Sequence, residues 1–452
     1  MSKYNYTEEE KEINAVLKYQ SEKLEAISFP DKEEIDNLIS KTERLLDDLK
    51  IKTNNLTPIN CAEKTIIKVP RWGTLSQEAE NACGKDVDLE SLFSSEELAK
   101  SEFAIKLLND EFNQIHKLDK IDITICVVAG ILSATIDILL VGIPEKTKGG
   151  LSAKPLSDFI RKEFEQKFPI EEMEKIANSP QSKVPYDAQD NRNTVQNITG
   201  LSTYYHRLLS LGHDPLLGFV VGVLDILNGK MTTIDKSGKV VSQVMENYSD
   251  RIETNIFSAI AKQFMHLKSD ITTSMGLPVP LMGLFNFFQF GSIGEEEQTV
   301  AEIVQSMYYE GYDFIHFCTM SIPIMITEVI VRMGYAIKRV KEGNKVKDSI
   351  PFSTNRESLP KLGTMLFIAH STASLINLGK VYFSENPMAI NYPQWIAFAK
   401  YTYTQLKWTL IESPERRNAY VMGILHEQLD DVFSDINNTY NKIGENYIIE
   451  FE

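Results

Sequence analysis

The chain is short of positive charge. Its 47 Lys and Arg face 63 Asp and Glu, a formal net charge of -16, and that deficit excludes a general duplex-DNA-binding surface, where phosphate contact requires a basic excess. Cysteine is scarce as well. The four present, Cys61, Cys83, Cys126 and Cys318, form no CxxC or paired spacing, and two stand inside apolar runs, where Cys serves as a small hydrophobe. They read as reduced and structural. The catalytic signatures are also missing: there is no GxSxG elbow, GxxxxGK[ST] phosphate loop, GxGxxG turn or papain-like cysteine context. No activated nucleophile or nucleotide-hydrolysing site has motif support, so no catalytic residue, cofactor or metal is expected. The opening MSKYNYTEEEKEIN lacks the basic and apolar regions of a secretory signal, which points to internal segments as the drivers of any membrane insertion.

What the chain does have is helix-forming sequence and a series of apolar blocks. The first, IDITICVVAGILSATIDILLVGIP from Ile121 to Pro144, has about twenty residues carrying one charge, Asp137. As a helix it would measure roughly 30 Å, the thickness of a bilayer core and also the length of a central helix in a soluble bundle. Further blocks run from 211 to 229, where Pro215 starts a helix and Gly229 stops it, from 314 to 337 and from 362 to 378. The block GLPVPLMGLFNFFQFG, with two prolines, predicts an irregular segment. MTTIDKSGKVV predicts a small hairpin.

The expected fold is an all-α helical bundle with apolar central helices as candidate transmembrane segments, polar amphipathic helices at the N- and C-terminal ends, and one small β-hairpin. Residues 1–118 form an amphipathic helical region and 413–452 a terminal amphipathic helix. Between them, 119–412 form the apolar core, with a polar linker near 178–198. Basic residues follow the first block (Lys146, Lys148, Lys154) and the fourth (Lys338, Arg339, Lys341, Lys345, Lys347), so the positive-inside rule puts both C-terminal ends on the cytoplasmic side.

Three blocks each hold an isolated carboxylate: Asp137, Asp225 and Glu328. Inside a bilayer such groups are candidate pore or gating residues; in a soluble bundle each must find a donor, and Arg332 lies four residues after Glu328 on the same helical face. A ring of Asp137 side chains from several copies would form a cation-attracting collar. His206, His213 and Asp214, with His370, are the only group of acid-base or metal character. Seven residues from His206 to His213 is two helical turns, too far for the adjacent-turn pair of a zinc helix, and Asp214 before Pro215 predicts a cap.

The middle of the chain, from KIDITICVVAGILSATIDILLVGIP through LGHDPLLGFVVGVLDILNG and GLPVPLMGLFNFFQFG to EGYDFIHFCTMSIPIMITEVIVR and LGTMLFIAHSTASLINLG, resembles a widespread group of uncharacterised bacterial helical proteins. The arrangement is also similar to membrane effectors of anti-phage defence, such as the channel-forming component of the Hailong system. That resemblance implies a regulated homo-oligomer acting on membrane lipid as an ion channel or pore. It also implies a restraining partner protein or a nucleotide or oligonucleotide ligand, and a place at the bacterial inner membrane in preference to the cytoplasm. Two alternatives stand beside it: a soluble oligomeric scaffold, and an enzyme of unknown reaction.

Overall fold

The computed structural model describes residues 4–26, 37–42, 44–45, 65–143, 146–147, 150–151, 155–273, 275–292 and 297–452. Lys148 and Lys154 lie outside them. The protein is 69% helical, and among the described residues the sheets are two-stranded, the all-α architecture that the apolar periodicity predicts.

In chain order, α1 (Glu8–Glu25) is followed by β1 (Thr65–Val69), α2 (Trp72–Cys83), α3 (Ser95–His116) and α4 (Lys120–Ile136), which runs on through a π turn, Asp137–Val141. A minimal ladder, β2 (Lys146–Thr147) with β3 (Gly150–Leu151), precedes α5 (Pro155–Lys167), α6 (Ile170–Ala177) and α7 (Val221–Asn228). The hairpin β4 (Lys230–Ile234) and β5 (Val240–Val244) leads to α8 (Ile256–Ser269) and α9 (Val300–Tyr309). The chain closes with α10 (Phe314–Lys341), α11 (Leu362–Ser384), α12 (Tyr392–Lys407), α13 (Ser413–Asn446) and β6 (Tyr447–Phe451). Helix starts follow local chemistry. Capping boxes at Thr7/Glu10, Asp119/Asp122 and Thr299/Glu302 each satisfy donors of the first turn. Gly229, at φ 60, ends α7 in the left-handed region.

The chain divides into two compact units, residues 1–114 with 413–452, and residues 115–412. The two polar ends therefore belong to one unit. The β-branched TIIKV of β1 pairs in parallel with YIIEF of β6, from Thr65 opposite Tyr447 to Val69 opposite Phe451, and Ala15 and Val16 of α1 cluster with Ala79 of α2 and with Val87 beyond it.

The larger unit has two main parts. One is a bundle of α4, α10, α11 and α12 around Cys126, Ala129, Val331, Met365, Leu366, Ala369 and Tyr401. Gly130 makes the α4–α11 crossing close, since a Cβ there would lie 2.7 Å from the Ala369 carbonyl and 2.7 Å from the Thr372 Cβ. Lys338 near the end of α10 pairs with Asp122 in the first turn of α4, at 2.7 Å. At the opposite end Asn391, which caps α12, reaches Asp137 after α4. Helices α4 and α10 are thus antiparallel, which corrects the expectation that both C-terminal ends share one side. Of the basic residues that suggested it, Lys338 is engaged by Asp119 and Asp122.

The other part surrounds the hairpin, with Tyr186, Ile198, Leu209, Ile226, Met231, Val241 and Ala259 at its centre. Here Gly218 and Gly222 make room for the Gln263 side chain of α8, at 2.7 and 2.5 Å from their ideal Cβ positions. The two glycines, four residues apart, thus seat a glutamine.

Candidate functional site

Each isolated carboxylate has partners within the chain. Asp137 accepts from Lys380 Nζ at 2.9 Å, Asn391 Nδ2 at 2.7 Å and Asn377 Nδ2 at 3.3 Å. Glu328 accepts from Arg332 Nε at 2.7 Å and from the Tyr401 hydroxyl, and lies 3.4 Å from His370 Nε2, whose ring stacks on Tyr401. Asp225 accepts from the Thr232 backbone N–H at 2.9 Å and the Thr232 hydroxyl at 2.8 Å, where the start of the hairpin folds back on α7. Burial pushes the Asp225 carboxyl up to about 6, against the lowering effect of those two hydrogen bonds.

Asp137 and Glu328 belong to an interior polar series that runs the length of the bundle. Asp122 with Lys338 and Lys361 stands at one end, Glu328 with Arg332, Tyr401 and His370 follows, Gln394 bridges His370 and Ser374, and Asn377, Asn391, Lys380 and Asp137 finish it. The exterior has the opposite character. On α4 and its π turn the buried face is Asp122, Cys126, Ala129, Gly130, Ser133, Ala134, Asp137 and Val141, while Ile123, Val128, Ile131, Leu132, Leu139 and Leu140 are exposed. Met325, Val329, Met333 and Ile337 are exposed on α10, and Leu375 and Leu378 on α11.

The histidines form a separate site. His206 lies in a single helical turn, His206–Leu209, the backbone extends at Ser210, and a 3-10 turn carries Leu211–His213. The break brings the two rings to 5.5 Å between centroids, so their spacing is not that of two turns of one helix. Asp187, His266 and Asp270 join them. Asp187 Oδ1 lies 3.5 Å from His206 Nε2 and 3.6 Å from His213 Nε2, while Asp270 Oδ2 lies 3.7 Å from His213 Nε2 and 3.6 Å from His266 Nε2. All but Asp187 are buried. Burial moves the His213 imidazole down to about 4. Burial would raise Asp187, but its contacts with His206 and His213 outweigh that and hold the carboxyl well below the usual range.

Asp214 takes no part in this cluster. It caps the following turn through the backbone N–H groups of Leu216 and Leu217 and reaches that of Leu281. His370 belongs to the bundle. Sequence reasoning missed Asp187, which stands in the stretch read as a linker, and the pair His266 and Asp270. The latter had a local signal, an i,i+4 spacing at the end of an amphipathic helix. Comparison of the chain with protein-family models, curated proteins and solved structures finds no match.

Proposed function

We propose that the protein is a membrane-inserted helical effector whose α4, α10, α11 and α12 bundle sits in the bilayer. The observation that carries the reading is the outer face of that bundle, where large aliphatic side chains of α4, α10 and α11 are exposed while charged and amide groups share the interior with its apolar core. Water penalises that distribution and hydrocarbon favours it. Three helical stretches, Ser95–Val141, Phe314–Lys341 and Leu362–Ser384, are long and apolar enough to cross a membrane. The step from insertion to a regulated pore or channel built from several copies, acting in anti-phage defence under the control of a partner or ligand, is supported by the sequence resemblance alone. Asp137 does not support a collar within one chain, because Lys380 and two amides occupy its oxygens.

The test is to place charge on the outer face. Leu132→Lys combined with Leu139→Lys alters exposed side chains only, and we expect the variant to leave the membrane fraction while the native chain remains in it. Unchanged partition of the variant contradicts insertion through this face. The second reading, a soluble oligomer, is favoured by the complete internal pairing of the three carboxylates. It requires further copies to cover the aliphatic faces, and it predicts a detergent-free native oligomer that the same substitutions break into monomers.

A further inference from the structure

We propose that Asp187, His206, His213, His266 and Asp270 bind one divalent transition-metal ion per chain, at a site separate from the apolar bundle. The ligand atoms of Asp187, His206 and His213 lie within 4.8 Å of one another, as do those of His213, His266 and Asp270. The nitrogen–oxygen separations of 3.5 to 3.7 Å are too long for hydrogen bonds. They are close to the ligand–ligand separations around one five-coordinate ion, about 3.0 to 3.6 Å for bonds of about 2.1 Å. Because both triads share His213 Nε2, which has one lone pair, a single ion is expected.

The state of the ligand atoms agrees. His206 Nε2, both ring nitrogens of His213, His266 Nε2 and Asp270 Oδ2 are buried and have no hydrogen-bond partner. Buried polar atoms are almost always satisfied, so this concentration in one place calls for an occupant. The groups behind them are arranged to aim these atoms inward. His206 Nδ1 lies 3.0 Å from the Thr203 carbonyl and His266 Nδ1 lies 2.9 Å from the Ser182 carbonyl. With the proton on Nδ1 in each ring, Nε2 presents its lone pair to the centre, as metal-bound imidazoles do. Arg207 Nη2 holds Asp270 Oδ1 at 3.0 Å and leaves Oδ2 facing the histidines. The Tyr186 ring stands edge-on to His213 and His266, and Gly212 is obligatory beside His213, since a Cβ would lie 2.6 Å from that ring.

Three imidazoles and two carboxylates without a thiolate select zinc, manganese(II), iron(II) or cobalt(II) and disfavour copper(I) and hard calcium. Asp187, with 26% of its side chain exposed, is the edge through which an ion enters.

The test uses the full-length protein, purified without metal-affinity chromatography and measured by elemental analysis. About one equivalent of zinc, manganese, iron or cobalt is expected. After chelator stripping, Zn(II) or Mn(II) added alone should raise the thermal midpoint. His213→Ala should remove the bound ion. Asp270→Asn, which keeps the shape and the Arg207 contact, should weaken it at least tenfold with an unchanged circular dichroism spectrum, so the proposal stays testable if His213→Ala fails to fold. His426→Ala, on the exposed face of α13, should load like the native chain. Absence of both bound metal and any midpoint change with Zn(II) and Mn(II), or equal loading in native, His213→Ala and Asp270→Asn proteins, overturns the proposal.

Discussion

Asp137 and Lys380 form a buried ion pair, Oδ2 to Nζ 2.9 Å, with side chains 6% and 10% exposed, between the π turn that ends α4 and the last turns of α11. Asn377 and Asn391 complete the coordination of the carboxylate. Either partner left alone in that place would be a buried, unpaired charge.

Removing one member therefore costs more than removing both. Asp137→Asn strands Lys380 and should lower stability by about 3–5 kcal/mol, whereas the double variant Asp137→Asn, Lys380→Met should recover much of the loss. A double-mutant cycle on thermal or denaturant unfolding checks this. Additive effects of the two substitutions would contradict the pairing.

Gly130→Ala should push α4 and α11 apart. The added methyl meets the Ala369 backbone carbonyl at 2.7 Å, and backbone cannot rotate away as a flexible side chain can, so a loss of about 1–3 kcal/mol is expected. Gly379→Ala, at a position with open space around it on the same α11, should be neutral or slightly stabilising. The two variants compared by unfolding midpoint separate crossing distance from helix propensity.

Asp225 gives a pH dependence with a definite sign. Its carboxyl is raised to about 6 in the folded chain, against about 3.9 when unfolded. The folded state thus binds more protons in that interval, and stability falls as pH rises from about 4 to about 6, then levels. Asp225→Asn should flatten this segment of the stability profile. At pH 7 it should gain stability, with roughly 3 kcal/mol as the ceiling set by that interval, less whatever the amide loses at Thr232. A variant with the native slope between pH 4 and 6 would assign the dependence to another group.

Much of the scaffold was legible because its signals are local. Gly229 stops α7, and the Thr- and Val-rich arms around Asp235 to Gly238 form the β4–β5 hairpin. The four-residue step from Glu328 to Arg332 is a salt bridge. What stayed hidden depends on contacts between distant stretches. Nothing near Thr65 announces that it pairs with Tyr447, and nothing near Asp187 announces His266. The distance from His206 to His213 misled for a different reason: counting turns presumes an unbroken helix, and the extended backbone at Ser210 folds the second ring back on the first. In the first apolar block, length alone left the environment open. The structure adds the assignment of faces: small and polar side chains of α4 turn inward and most of its isoleucines and leucines turn out.

If this outward aliphatic surface lies in lipid, as we propose, alkaline carbonate extraction of membranes from cells expressing the chain will show it. Carbonate releases proteins held at the surface and leaves spanning proteins in the pellet. The native chain should stay with the pellet and be released only by detergent; its recovery in the carbonate supernatant, or in the cytosol without detergent, would rule out insertion.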